Sequence, residues 1–559
     1  MESFLANTND VLDAVNGILW HEWALIVVLA VGVLFTLWSG FCQYRALTHG
    51  VAITLGKYDD KHDPGAINHF QALSAALSAT VGIGNIGGVA LAVALGGPGA
   101  VFWMWVVGLV GMTLKTTEVT LAMLYRNVED PDNPHGGAMW VADKGLARMG
   151  LAPLGKIVAA IFCVTLLIST ITGGNMFQAW NVAEQTAQNF PVPRLVCGVV
   201  LAILCALVII GGIKRIGTVA GALVPFMCIA YLLAALAILG NHLGEIPDLL
   251  ALIVRSAFAP AEAQQAFLGG SLGAAFVWGL KRAFFSSEAG QGSSPIAHCA
   301  ARTDEPVREG LVAGLEPFID TLVVCTITSL VILASGTWNR GPEAILSELP
   351  AVVRTEGAWT LEEIPPPPKN QGEWQVNDEV FLVVEADRNS ATNNNLHRIT
   401  GTVVEKEGQP GLVIKWGKHS KGKPTLNELG LYGDYKGAAL TSHAFDREFP
   451  GLGKYLVTAA VWLFALSTII SWSYYGEQGV IYLFGQRGVL SYRILYCIFL
   501  CVATAGFIRT EQELDNLSAL GTGVMLFANL PICLLFGRQT MRAYWDYFGR
   551  LKQNSNHPT

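Results

Sequence analysis

Residues Ser78 to Gly88 read SATVGIGNIGG, four glycines in eleven positions, within an apolar stretch otherwise long enough to cross a bilayer. Each glycine weakens a helix by roughly 1 kcal/mol relative to alanine. A membrane helix tolerates such a run where the freed peptide groups line a cavity or are buried in protein. A helix broken halfway through the membrane, with Asn85 beside the break, is the pattern of a solute and ion site in a secondary transporter. A glycine-rich packing face is the plainer alternative. At such a break the second half-helix presents free N–H groups and a partial positive charge to a carboxylate. The amides of Ile83, Gly84 and Asn85 are placed for that role, and Gly82 and Gly84 let a solute approach the backbone.

A second interruption lies in FVWGLKRAFFSSEAGQGSSPIAHCA, Phe276 to Ala300. An apolar span is read to end at Lys281-Arg282, with polar, glycine-rich backbone unwound over about 279–292. Its free carbonyls would meet an ammonium group. Glu288 is expected to pair with Lys281 and Arg282 as an intracellular gate, and Glu118 with Lys115 one helical turn away. Gln178 carries both an amide donor and an acceptor in an apolar span. On residues alone, a substrate contact and an interhelical hydrogen bond stand equal for it. Ser467 and Thr468 are adjacent hydroxyls which, taken alone, would bond back to the preceding helical turn.

The elements that must hold these residues are membrane spans. The chain has 559 residues, 52% hydrophobic and 14% charged, with a mean hydropathy of +0.43; a soluble chain carries about 25% charge. Apolar segments recur near 22–42, 68–95, 98–125, 154–187, 194–212, 216–240, 264–286, 307–335, 451–473, 490–507 and 514–537. That predicts about eleven transmembrane helices. Basic residues such as Arg45, Lys57, Arg126, Lys144, Arg215 and Arg542 gather on one side of these spans, which places the C-terminus in the cytoplasm and the N-terminus outside. A net charge of −7 does not suggest a nucleic-acid partner. Of the ten cysteines, nine lie in apolar runs without metal-ligand spacing and read as core packing, Cys299 beside His298 reads as a loop cysteine rather than a metal ligand, and no cleavable signal sequence is read. No nucleophile elbow, metal cluster or phosphate loop points to an enzyme.

Residues 341–435 depart from the membrane pattern. A Pro365 to Pro368 run is followed by EVFLVVEA (Glu379 to Ala386), HRITGTVVE (His397 to Glu405) and GLVIKW (Gly411 to Trp416), three short strands with turns between them. A small β-barrel or β-sandwich outside the cytoplasm is expected, as a passive lid or a module docking an extracytoplasmic partner. The chain then divides into a first transporter part (1–340), the insert (341–435) and a second transporter part (436–559). If the first span is an addition, the two breaks open the first and sixth of the remaining ten. That is the spacing of two five-helix halves with inverted topology.

ALSATVGIGNIGGVA (Ala76 to Ala90), GGNMFQA (Gly173 to Ala179), the Lys281 to Ala300 stretch and FALSTIISWSYYGEQ (Phe464 to Gln478) together resemble the alanine or glycine:cation symporter family. The four motifs lie in order and cover most of the chain outside the insert. Two features depart from the family pattern: Ile83 stands where threonine is commonest, and the insert is much longer than the usual loop. The resemblance implies an all-α polytopic membrane protein of the leucine-transporter superfamily, with one N-terminal helix, a 5+5 inverted repeat and two broken helices. It implies sodium-coupled import of alanine or glycine across a bacterial plasma (inner) membrane. By the same resemblance, Gln178 touches substrate, and Phe276, Trp278 and Gly279 wall the side-chain pocket. It also assigns a sodium ion to the Ser467 and Thr468 hydroxyls with backbone carbonyls near Ser78 and Val81. Rival readings are proton coupling, another small amino acid such as serine or glutamine, and an amino-acid-sensing receptor.

Overall fold

The computed structural model describes residues 11–12, 14–258, 272–355, 358–370, 372–376, 378–388, 395–406, 411–419, 422–435, 437–506 and 511–556. Helices build the membrane body: α1 (Glu22–Trp38), α2 (His69–Thr80), α3 (Val89–Gly96), α4 (Gly99–Tyr125), α5 (Ala152–Ile171), α6 (Phe177–Asn189), α7 (Gly212–Asn241), α8 (Leu272–Ser287), α9 (Pro306–Ala313), α10 (Thr326–Ala334), α11 (Ala438–Glu448), α12 (Gly453–Phe484), α13 (Val489–Thr504) and α14 (Glu511–Asn556). Among the described residues, seven helical stretches are long and apolar enough to cross a membrane, and two bent pairs raise the number to nine. The expected eleven is therefore not reached. Arg194–Ile209 is apolar but short, and the span expected over 264–286 begins outside the described residues.

The first break is built by local chemistry. Asn68 and Gln71 form a reciprocal capping box that starts α2. The helix stops at Val81, whose ψ of 87° leaves the helical region. A wide turn over Gly84–Gly88 then leads into α3, and the two half-helices meet at 54°. A π-type turn spoils the regular hydrogen-bond ladder; here the Thr441 hydroxyl donates to the Ile86 carbonyl at 2.9 Å. Gly87 is a glycine because α11 crosses there: a Cβ would sit 2.8 Å from the Ala438 nitrogen.

The second break comes later than expected. Helix α8 runs unbroken through Lys281 and Arg282 to Ser287. Both charges are partnered where they stand, Lys281 and Arg282 over the Trp278 ring and Arg282 also with Asp515 at 3.6 Å, so neither ends the helix. The chain turns at Glu288 (φ 52°), Gly290 (φ 82°) and Gly292 (φ 78°), then forms the short helix Pro295–His298. Buried Glu118 on α4 accepts from the Gly290 and Gly292 amides and from Asn529 Nδ2.

The insert has its own core of Val380, Leu382, Val384, Ile399, Val403, Ile414 and Leu431. Strands β1 (Ala344–Ile345), β4 (Glu379–Glu385), β5 (Leu396–Glu405), β6 (Leu412–Trp416), β7 (Thr425–Leu426) and β8 (Gly430–Gly433) form one antiparallel sheet of order β1-β8-β4-β5-β6, with β7 also on β4. The ribbon of β2 (Val352–Thr355) and β3 (Ala358–Leu361) adjoins it through the Trp359–His419 bridge. The main unit is thus a single sheet rather than the expected barrel or sandwich. Its three predicted strands are present as β4, β5 and β6.

Candidate functional site

Between the two breaks lies a cavity of about 30 Å³. On a measure where one water needs about 10–15 Å³, it takes a very small guest. Gly82, Gly84, Gln178, Phe285, Ser286, Glu288, Gln291, Thr468, Trp472 and Ser518 are among its walls. A larger hollow of about 550 Å³, lined by Trp38, Arg538 and Trp545, contains no residue of either break.

The polar atoms around this cavity are unevenly satisfied. Gln178 gives its amide hydrogen to the Gly173 carbonyl at 3.1 Å, which leaves Oε1 without a partner. Thr468 Oγ1 and Gln291 Oε1 are likewise buried and unpartnered. A buried polar atom without a partner costs about 1–3 kcal/mol, so three around one cavity point to a guest. Gly82 keeps the space open: a Cβ there would lie 2.7 Å from Thr468 Oγ1 and 3.6 Å from Gln178 Oε1.

Helix α12 meets the end of α2 through paired serines. Ser78 Oγ donates to the Ser467 carbonyl at 2.7 Å. Ser467 Oγ stands 3.5 Å from the Ser78 carbonyl and 2.8 Å from that of Phe464. With Thr468 Oγ1 beside them, these are neutral oxygens of the hard kind that suit an alkali cation. Val81, at the end of α2, is fully buried. Among the described residues, no cluster of three or more His, Cys, Asp or Glu side chains suits a metal ion.

Several expected roles change. Asn85 is completely buried, but its side chain is used inside the protein. Oδ1 accepts from the Gly82 amide at 2.9 Å, and Nδ2 donates to Ser286 Oγ and the Asp320 carboxylate. The Asn85 amide itself turns back to the Gly82 carbonyl at 3.1 Å. Ile83 and Gly84 remain at the start of the second half-helix, where amides lack helical partners. Phe276, Trp278 and Gly279 are not among the cavity's walls. Phe276 packs edge-on against Trp103 at 4.9 Å, and Trp278 lies under the Lys281 and Arg282 charges. A Cβ on Gly279 would collide with the Ala100 carbonyl of α4, so its glycine serves helix packing. The aromatic walls are instead Phe285 and Trp472.

The gate pairs change as well. Glu288 accepts from Ser293 Oγ at 2.5 Å and faces Lys115, not Lys281 or Arg282. Lys115 pairs at 3.3 Å with Glu316, both fully buried, while Glu118 is occupied by the unwound amides. Glu316 and Asp320 were missed, although two acids four positions apart in the apolar 307–335 span are a visible signal.

A model of the sodium:alanine symporter family matches residues 5–361 and 426–559. The chain belongs to that family. It is a membrane transporter of the secondary active, cation-coupled kind that carries small neutral amino acids, and not an enzyme. It is 36% identical to the sodium/alanine symporter AgcS of Methanococcus maripaludis over 94% of each chain. It is 29% identical to a sodium/proton-dependent alanine carrier protein of Bacillus sp., over 90% of this chain and 92% of that one. The family match leaves out residues 362–425, which hold β4, β5 and β6.

Proposed function

We propose that this protein imports alanine or glycine together with sodium, by opening the central cavity alternately to the two sides of a bacterial plasma membrane. The observation that carries the reading is the set of unpartnered oxygens, Gln178 Oε1, Thr468 Oγ1 and Gln291 Oε1, around a cavity of about 30 Å³ at the first break. Acceptors of this kind suit an ammonium group, and the Ile83 and Gly84 amides suit its carboxylate. The cavity's size and its Phe285 and Trp472 walls favour a side chain of hydrogen or methyl over one as long as that of glutamine.

Sodium would be held by the Ser467 and Thr468 hydroxyls and by the carbonyls of Ser78, Val81 and Phe464. The ion supplies a positive charge that joins α2 to α12 across the break. Each ligand then binds better once the other has ordered the break. Two five-helix halves of inverted topology, with the N-terminus and insert outside and the C-terminus inside, fit the spacing of the breaks and the basic loops.

The test is alanine uptake into proteoliposomes against sodium concentration. Ser467→Ala with Thr468→Ala should raise the half-saturating sodium concentration about tenfold or more, the equivalent of about 1.4 kcal/mol. An unaltered sodium titration would remove both residues from the ion site.

A further inference from the structure

The hollow of about 550 Å³ away from the breaks is built where two spans end. Helix α1 stops at Trp38, and the chain bends by 70° into Cys42–Thr54. Beside it, α14 runs without a charge from Asn516 to Gly537 and then presents Arg538 and Arg542 one helical turn apart. Gly537 lets the two helices cross closely: a Cβ there would lie 2.9 Å from the Phe35 ring, on which Trp38 stacks. Trp545 Nε1 donates to the Trp38 carbonyl at 3.2 Å, a group that the helix end leaves without a helical partner. Trp38, Arg538, Met541, Arg542 and Trp545 line the hollow.

Its charge is not balanced from within the protein. Among the described residues, neither Arg538 nor Arg542 pairs with a carboxylate, whereas Arg550, two turns on, reaches Glu305 at 2.6 Å. Asp546 lies one turn beyond Arg542, yet it forms no ion pair with it and is not among the walls. Like charges at this spacing repel. Arg45 adds a third: its guanidinium lies 4.7 Å over the Trp545 ring, and its Nη1 is buried without a partner. The gathering of basic residues on one side of the spans accounts for arginines at a helix end. It does not account for their sharing a hollow with Trp38 and Trp545, which are 40% and 43% exposed. Tryptophans at the end of a span sit at the level of the lipid headgroups. Leu34 and Leu535, one turn into the membrane from Trp38 and Arg538, are exposed as well. An apolar surface thus leads from the charges to the hydrocarbon.

We propose that this hollow binds an anionic phospholipid. Arg538 and Arg542 take the phosphate oxygens, which the guanidinium fork matches, and the acyl chains run along Leu34 and Leu535. Basic pockets between membrane helices hold such headgroups. A choline headgroup would bring a second cation to walls that carry two positive charges and no acid, so phosphatidylglycerol is preferred to phosphatidylcholine. Free phosphate would leave the apolar surface uncovered. The hollow shares no residue with the solute cavity, so the transport tests and the lipid test succeed or fail separately.

The experiment titrates the full chain, purified in detergent, with phosphatidylglycerol or phosphatidylcholine and reads the affinity of the first bound lipid by native mass spectrometry. Wild type should bind phosphatidylglycerol about tenfold or more tighter than phosphatidylcholine. Arg538→Gln with Arg542→Gln should remove that preference and leave phosphatidylcholine binding unchanged. Arg542→Gln alone, at an exposed position, should shift it in the same direction and decides the matter if the double variant does not fold. Arg487→Gln, another exposed basic position just beyond α12, should leave it intact, and excess inorganic phosphate should not displace the lipid. Equal affinity for the two lipids, or unchanged phosphatidylglycerol binding in the Arg538 and Arg542 variants, overturns the proposal. An equal loss in Arg487→Gln would reduce the effect to general surface charge, and displacement by phosphate would make the hollow a site for free anions; either result also overturns it.

Discussion

Gly82 and Asn85 lie three residues apart and do different work. Gly82 leaves room for a guest, since its missing Cβ would stand 2.7 Å from Thr468 Oγ1. Thr468 is β-branched and buried in α12, so it yields little. Gly82→Ala should therefore lower alanine affinity about tenfold or more by filling the guest's space, and its overpacking of about 1–3 kcal/mol should lower the melting temperature as well. Asn85→Ala should act on the fold first. It strands the Gly82 amide and Asp320 Oδ1 in the core, while Ser286 still donates to Asp320 Oδ2, at a cost of about 1–3 kcal/mol for each unsatisfied group. Its melting temperature should drop before binding is measured; an unshifted melting curve would contradict the assignment. Sequence located Asn85 at the site but not its task, because Ser286 and Asp320 lie 201 and 235 positions away. Thr468 was placed against the break by the family resemblance alone, because its own residue pattern is that of a hydroxyl bonding back to the preceding turn. Phe285 and Trp472 were not legible as walls, because an aromatic in an apolar run gives no sign of the face it occupies.

The breaks were readable as elements because glycine runs interrupt apolar spans. The second was placed too early, because Lys281 and Arg282 look like the end of a span until Trp278 and Asp515 are seen beside them. Another element contact carries a pH prediction. His242, just beyond α7, bonds Glu448 at the end of α11 at 3.0 Å and Glu245 at 3.1 Å. These bonds, Glu448 first, hold the imidazolium and raise its pKa above the ordinary 6.5. A raised folded pKa gives stability that is complete below the unfolded value and is lost as pH rises through the folded one. Protease cleavage in the loop after α7 should therefore become faster from pH 6 to pH 9. His242→Gln should flatten that dependence, and an equally steep profile in the variant would rule the contact out as its source.

At the scale of the molecule, the membrane body and the insert have separate cores, and the family match skips residues 362–425. β1 pairs directly with β8 on the body's side of that gap. Replacing 362–425 by a short flexible linker should thus leave sodium-driven uptake within about threefold of wild type, a difference of under about 1 kcal/mol. A folded but inactive protein would instead make the insert part of the outer gate.

On the proposed reading, alanine and sodium would meet at one broken helix, so their binding should be reciprocal. Calorimetric titration of the purified protein with alanine, in sodium and in choline, tests this most directly. Sodium should tighten alanine binding about tenfold or more, alanine should tighten sodium by the same factor, and Thr468→Val should abolish both effects. Alanine affinity indifferent to sodium would contradict the account at its centre.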